Sequence, residues 1–274
     1  MLKLFNFSLM AFFAFPLLAP AQGINFAASS SNDPIEVSAA DGIELHQKEK
    51  KIIANKDAIA KRGESYLYAD KIEAYYRQAL ESKNTEIWKL SAIGSVKMTS
   101  DKSTAKGDMA DYNIDTDILT LTGKPAHFIS EGDHVTATRL EYMPKKRLVV
   151  ASGDAKILRE DNTLTATTIS ALFKENTEGN LEVELMNADG NVVISTKTET
   201  ATGEKASYNP KTGVAVLLGN VKLTKDDNYM TGEKATVNLK TGISKLFAGA
   251  PSKDSDGRVR GVFLPKSIKD AKTK

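Results

Sequence analysis

His46, His127 and His134, together with the acids Asp70, Asp108, Glu204 and Glu233, are the side chains of this sequence whose types could hold a metal or move a proton. Their spacing supports neither chemistry. The histidines stand without a second ligand at metal spacing and no HExxH stretch occurs, so each reads as a strand-surface residue. The acids return once per unit of a repeat, whereas a catalytic pair is unique, and their recurrence marks a structural role. There is no G-x-S-x-G elbow, P-loop or dinucleotide fingerprint. The absence of cysteine excludes a thiolate nucleophile, a thiolate metal site and a disulfide framework. A formal net charge of only +2 gives no electrostatic case for nucleic acid. The chain reads as a non-enzyme that needs no cofactor.

The recurrence of the acids leads to the elements that must hold them. A glycine-centred segment returns along the chain, with Lys56, Gly94, Gly123, Gly153, Gly190 and Gly219 at its third position and Gly249 closing the series. The distance from Lys56 to Gly153 is 97 residues, and from Gly94 to Gly190 and from Gly123 to Gly219 it is 96, so one triplet of units is used twice. Such a period is the signature of stacked copies of one small unit. Around Gly94, the residues Leu90, Ala92, Val96 and Met98 share one parity, and Lys89, Ser91, Ser95 and Lys97 the other. That alternation predicts a half-buried strand.

A second segment runs in register with the first: a small residue, then Asp, Glu or Thr, any residue, Ala, Ile or Leu, any residue, and Tyr, Ala or Val. It begins at Ala69, Gly107, Ala137, Ala166, Gly203 and Gly232. Turn formers such as Asn209-Pro-Lys-Thr-Gly213 separate the strands, so each unit is a strand pair. Extra residues at 78–85 and 174–180 lengthen two of the units and are expected as surface loops. No amphipathic helix of useful length follows residue 22.

Such units bury their apolar face only by stacking, which predicts an all-β protein whose sheet has a continuous apolar interior. Small residues at strand centres (Ala92, Gly94, Ala151, Gly153, Ala155, Gly190, Gly219) either let two layers approach or leave room for a hydrocarbon guest. Likewise Tyr75, Tyr112, Tyr142, Phe173 and Tyr208 either rim the mouth of the trough or pack at its edge. Trp88 is expected to pack on a strand face. The end segments 35–38, 42–46 and 242–247 have no obvious cap, so they are expected to pair with another copy or a partner.

At the start of the 274-residue chain, Lys3, the apolar run 4–18 and Ala19-Pro-Ala21 predict a signal peptide over 1–21, cleaved near Ala21. A linker at 22–32, the repeat array of about six units at 33–250 and a basic, flexible tail at 251–274 follow. Within that tail, residues 259–264 could add one more strand.

Three features together resemble the OstA-like family, the LptA/LptC/LptD N-terminal jellyroll superfamily of lipopolysaccharide transport. They are the repeated A-x-G-x-V strands, the segments Gly107-Asp-Met-Ala-Asp-Tyr-Asn113 and Gly203-Glu-Lys-Ala-Ser-Tyr-Asn209, and Asp189-Gly-Asn-Val192. The resemblance covers roughly residues 33–250. It implies an elongated, open β-jellyroll of antiparallel strands whose apolar interior holds the acyl chains of lipopolysaccharide. It also implies a periplasmic carrier forming part of a bridge, joined through edge strands to an LptC-like inner-membrane partner and an LptD-like outer-membrane partner, and head to tail to copies of itself.

On this basis the residues expected to face the lipid are Leu90, Ala92, Val96, Met98, Leu119, Leu121, Phe128, Leu140, Val149, Ile157, Ile169, Val192, Ile194, Leu217 and Val221, each of which could equally be ordinary core. Two other readings stand beside it. One is a membrane-anchored LptC-like subunit whose N-terminal segment is retained, and the other is a structural β-repeat module that binds no lipid.

Overall fold

The computed structural model describes residues 34–79, 85–100, 102–130, 132–177, 179, 181–238, 240–250 and 257–264. The expected signal peptide and linker, and most of the tail, lie outside the described residues. Two short strands come first, β1 (Glu36–Ser38) and β2 (Ile43–His46). The long strands follow: β3 (Lys51–Arg62), β4 (Ser65–Gln78), β5 (Thr85–Thr99), β6 (Ser103–Asn113), β7 (Ile118–Ser130) and β8 (Asp133–Met143). The second half repeats them as β9 (Leu148–Arg159), β10 (Asn162–Glu175), β11 (Leu181–Ser195), β12 (Glu199–Asn209), β13 (Val214–Lys225) and β14 (Asn228–Asn238). Two short strands close the chain, β15 (Ile243–Phe247) and β16 (Arg260–Val262).

All belong to one sheet in which each long strand pairs antiparallel with the next, as tight hairpins in sequence dictate. At one end β1 and β2 share the outer edge of β3, and at the other β15 and β16 share that of β14. The described residues therefore form an all-β array, as the repeat predicts, and one that stays open, as the family resemblance implies. No helix among the described residues is long and apolar enough to cross a membrane.

Halfway along each long odd-numbered strand the register slips against its neighbours. In β5, Ile93 faces Lys71 and Met109, but Val96 faces Gly107 and Lys97 faces Tyr68, which leaves one extra residue in β5. At the slip two successive residues are left-handed: Gly94 and Ser95 (φ 77° and 47°), and in β9 Gly153 and Asp154 (77° and 50°). A bulge of this kind bends its strand. Repeated in register along the array, the bends fold the sheet along one line into two facing arms.

The repeated glycines are thus corners, which corrects the reading of Gly94, Gly153, Gly190 and Gly219 as gaps left for a guest. A Cβ on Gly153 would lie 2.7 Å from Thr138 Cβ, and one on Gly190 would lie 2.6 Å from Thr167 Oγ1. This explains why the two sequence segments keep step. The second residue of the second segment, in one strand, packs on the glycine corner of the next: Asp70 on Gly94, Thr138 on Gly153, Thr167 on Gly190, Glu204 on Gly219. Two of these carboxylates also accept a hydrogen bond from the residue after the glycine, Asp70 from Ser95 (3.3 Å) and Glu204 from Asn220 (2.7 Å). Asp70 and Glu204 are thus structural, as the repetition of the acids indicates.

At the first corner Lys56 replaces glycine and still adopts φ 63°, with Asp57 at 48°. A left-handed residue with a Cβ costs about 1–2 kcal/mol, offset in part by the greater unfolded-state freedom of glycine. Lys56→Gly is therefore expected to raise stability by about 1 kcal/mol in urea unfolding; an unchanged or lower midpoint would contradict this account of the corners.

The bend also reverses side-chain parity in the even-numbered strands. In β4 the buried series Leu67 and Ala69 continues three residues on, as Ile72 and Ala74, and in β10 Leu164 and Ala166 continue as Ile169 and Ala171. The first, fourth and sixth positions of the second sequence segment are these inward positions.

Nearest the corners the inner face is lined by alanine: Ala58, Ala126, Ala155, Ala201 and Ala235 are all 0% exposed. There the small side chains let the arms close on each other, the first of the two alternatives the sequence leaves open. The extra residues expected as loops are partly hairpin, since Gln78 pairs with Thr85 and Glu175 with Leu181. The tail's strand candidate forms as β16, where Leu264 N–H also donates to Asn228 Oδ1 at 2.9 Å.

Candidate functional site

Because every long strand bends at its middle, its two ends come to the two lips of the fold. One lip carries the turns that leave odd-numbered strands, such as 63–64 and 160–161, and the other carries those that leave even-numbered strands, such as 144–147. Among the described residues each long strand pairs only with the strands beside it in the array, so no ladder of backbone hydrogen bonds closes one lip against the other. Side chains do so instead. The Tyr112 hydroxyl donates to the buried Asp117 carboxylate at 2.9 Å, and the Arg62 guanidinium, at the end of β3 on the opposite lip, reaches the same hydroxyl.

Between the arms, from β5 to β10, lies a cavity of about 120 Å³. Its walls come from both arms: Phe128, Val135 and Ile157 from one, and Leu121, Leu140 and Phe173 from the other, with Met98 and Ala105 toward one end of the array. The polar groups that reach it are already paired. Asp133 is held by Arg159 through Nε at 2.6 Å and Nη2 at 2.9 Å, Ser103 Oγ donates to Ser130 Oγ at 2.9 Å, and Arg139 takes Glu141 at 2.7 Å. What remains is a surface that offers dispersion contact and almost no hydrogen bonding, fit for hydrocarbon.

Of the residues singled out from sequence, Met98, Leu119, Leu121, Phe128, Leu140, Val149, Ile157 and Ile169 line this cavity. Ile194 borders a second recess of about 20 Å³ with Leu164, Met186 and Tyr208. Leu90, Ala92, Val96, Val192, Leu217 and Val221 face the same interior but border neither space, and each is 0–2% exposed. Sequence reasoning missed Ala105, Val135 and Ala171 among the lining residues. All three lie in even-numbered strands, where alternation breaks, and the fixed spacing of the second segment is the signal that locates Ala171.

The aromatic series divides. Tyr142 and Phe173 line the main cavity and Tyr208 the smaller one, while Tyr112 is buried at the lip. Tyr75 leaves the series, because its ring packs against Trp88 at 6.1 Å and its hydroxyl donates to Glu73 at 2.6 Å. Burial pushes the phenols of Tyr112, Tyr142 and Tyr208 above their ordinary range, helped at Tyr112 by its bond to Asp117 and at Tyr142 by the Asp117 charge. These rings therefore present neutral hydroxyls at the lip, with no nucleophilic phenolate.

His127 and His134, unpaired in the sequence reading, meet on the outer face of the β7–β8 hairpin, Nδ1 to Nε2 at 3.1 Å. One imidazole N–H donates to the other ring's bare nitrogen. Among the described residues no group of three or more His, Cys, Asp or Glu is placed to hold a metal ion.

Comparison with known proteins adds the remaining finding. No curated protein matches the chain. Among solved structures, the LptA-homologous periplasmic component LptH of the lipopolysaccharide transport device from Pseudomonas aeruginosa is similar at 20% identity. The match covers 48% of this chain and 95% of that one, with a TM-score of 0.41. The family described as LptA/(LptD N-terminal domain) LPS transport protein matches twice, at residues 37–147 and 134–243. The second match begins 97 residues after the first, the same offset as the duplicated triplet of units. The two matches span the bent array from β1 to β15, and the chain belongs to this family of lipopolysaccharide transport proteins rather than to any family of enzymes.

Proposed function

We propose that this chain is a periplasmic carrier that shields the acyl chains of lipopolysaccharide between its two arms. The observation that carries the reading is the apolar cavity walled by both arms, in a member of a lipopolysaccharide transport family. Each methylene removed from water gains about 0.8 kcal/mol, so a lipid with several acyl chains strongly favours such walls over solvent. At about 120 Å³ the space between the arms is near the size of an engineered apolar cavity that binds benzene, too small for several acyl chains. Loading therefore requires the lips to part. That step breaks side-chain contacts such as Arg62 with Tyr112 and leaves every strand ladder intact, so the sheet can widen without unfolding. Similar walls in successive units make movement along the interior nearly level in free energy, and its direction must come from outside the chain.

Export by the N-terminal apolar segment, with cleavage near Ala21, belongs to the same proposal, as does end-to-end joining with LptC-like and LptD-like partners or with further copies. The outermost strands support the joining. They expose Ile43 (52%) and Leu45 (56%) at one end and Ile243 (57%) at the other. They also carry opposite charge, Glu36 and Glu44 against Lys245 and Arg260.

The decisive experiment places a photo-crosslinking residue at Met98, Leu121 or Ile157, all lining the cavity, with Ser95 and Lys97, exposed on the outer face, as controls. Labelled lipopolysaccharide should be captured from the three inner sites and not from the outer two. Failure at every inner site during active export would end the carrier reading.

A further inference from the structure

The topology sorts the charged turn residues by lip, and the sorting is uneven. The lip formed where even-numbered strands end carries Lys48 and Lys50 in the β2–β3 turn, Lys145, Lys146 and Arg147 in the β8–β9 turn, Lys211 in the β12–β13 turn and Lys240 in the β14–β15 turn, all exposed. The described acids in these turns are already engaged: Glu49 with Lys51 at 2.8 Å, Asp115 with Arg77 at 2.7 Å, and Asp117 buried beneath Tyr112. The opposite lip carries Glu64, Glu160, Asp161, Asp226 and Asp227 against Lys102 and Lys197. One lip is thus basic and the other acidic, although the chain as a whole is nearly neutral.

The basic lip is densest where the cavity lies. Tyr142 and Val149, which line the cavity, are separated only by Met143, the turn residues 144–147 and Leu148, so Lys145, Lys146 and Arg147 stand at its rim. Lys145 Nζ donates to the Asp115 carbonyl at 3.3 Å and Arg147 meets the exposed Glu175 at 3.3 Å, contacts that leave both cations in solvent. Acyl chains held between the arms would leave their head group at the lips, where it meets positive charge on one side and negative charge on the other.

We propose that the guest is an anionic amphiphile whose phosphorylated head rests on the basic lip, with Lys145, Lys146 and Arg147 as the contact that orients it over the cavity. This rests on the acyl-carrier reading, since without chains between the arms there is no head group at the lip. Repulsion from the acidic lip gives the bound lipid a single orientation across the seam, which a chain of carriers needs if heads are to stay on one side.

The test measures capture of bisphosphorylated lipid A and of the same lipid stripped of its phosphates, by the full chain and by the variant Lys145→Gln/Lys146→Gln/Arg147→Gln. A second variant, Glu160→Gln/Asp161→Gln, controls for the acidic lip. Removing three cations within about a Debye length of the head should weaken capture of the bisphosphorylated lipid on the order of tenfold and blunt its salt dependence. Capture of the phosphate-free lipid should not change, and the control variant should bind as tightly as wild type or tighter. Equal loss for both lipids, or no loss for either, would overturn the proposal while leaving the carrier intact. Competition by inorganic phosphate alone would overturn it too, by making the lip a plain anion site. If the wild-type chain captures neither lipid, the carrier reading fails first, and the inference falls with it.

Discussion

Replacing Gly153 with valine is expected to destabilise the protein by about 3 kcal/mol, because two costs add at one corner. The left-handed backbone, φ 77°, disfavours any side chain by about 1–2 kcal/mol. The new Cβ would meet Thr138 Cβ at 2.7 Å, an overpacking that costs about 1–3 kcal/mol more. Thr138 is branched at that carbon and cannot rotate it away. Gly132→Ala separates the two contributions, because Gly132 has φ 93° and nothing within 4 Å of its Cβ position, so only the backbone cost of about 1 kcal/mol remains. Thr138→Ala keeps that Cβ but removes Oγ1, which also lies 2.7 Å from the new carbon, so it should recover part of the loss in the Gly153 variant and none in the Gly132 variant. Urea midpoints of these variants in a double-mutant cycle measure the coupling, and additivity between positions 138 and 153 would mean that the corner does not pack as described.

The second large effect concerns capture rather than stability. Ala171→Phe puts a ring into the cavity from β10, where free volume already exists, and stability should change by less than about 1.5 kcal/mol. Lipid capture should fall at least tenfold, since displacing two methylenes of contact forfeits about 1.6 kcal/mol, more than the roughly 1.4 kcal/mol that a factor of ten requires. Leu217→Ala is the opposite case. Leu217 is 0% exposed and borders neither of the two cavities, so its truncation should cost about 3 kcal/mol of stability while the folded fraction still captures lipid. Thermal melts read beside crosslinking yields separate the two outcomes. If both variants lost capture in proportion to stability, the cavity would be a packing defect and not a site.

Both predictions turn on the bend, where simple alternation along the chain stops reporting what faces inward. Around Gly94 and Gly153 the pattern is legible because odd-numbered strands keep their parity through the bend, so Leu90, Ala92, Val96 and Met98 all turn inward as it indicates. In even-numbered strands the same bend shifts the inward series by one residue. A period-two reading therefore loses Ala171 and Val135, which share the cavity wall with Ile157. Lys56 hides the first corner, since nothing in a lysine announces a left-handed backbone. The His127–His134 contact is equally hidden: it depends on the pairing of Ile129 with His134 and of His127 with Thr136 across the β7–β8 hairpin, a register that spacing along the chain does not express.

The repeat, its duplication and the all-β character follow from the order of residues alone, because a strand's two-residue period and the turns between strands are local properties written into each unit. The fold of the sheet onto itself, the cavity between its arms and the division of charge between the lips belong to the tertiary structure. They depend on where a bulge recurs in alternate strands and on which turns that bend brings side by side. Those distances are set by the packing of arm on arm, which no single unit contains.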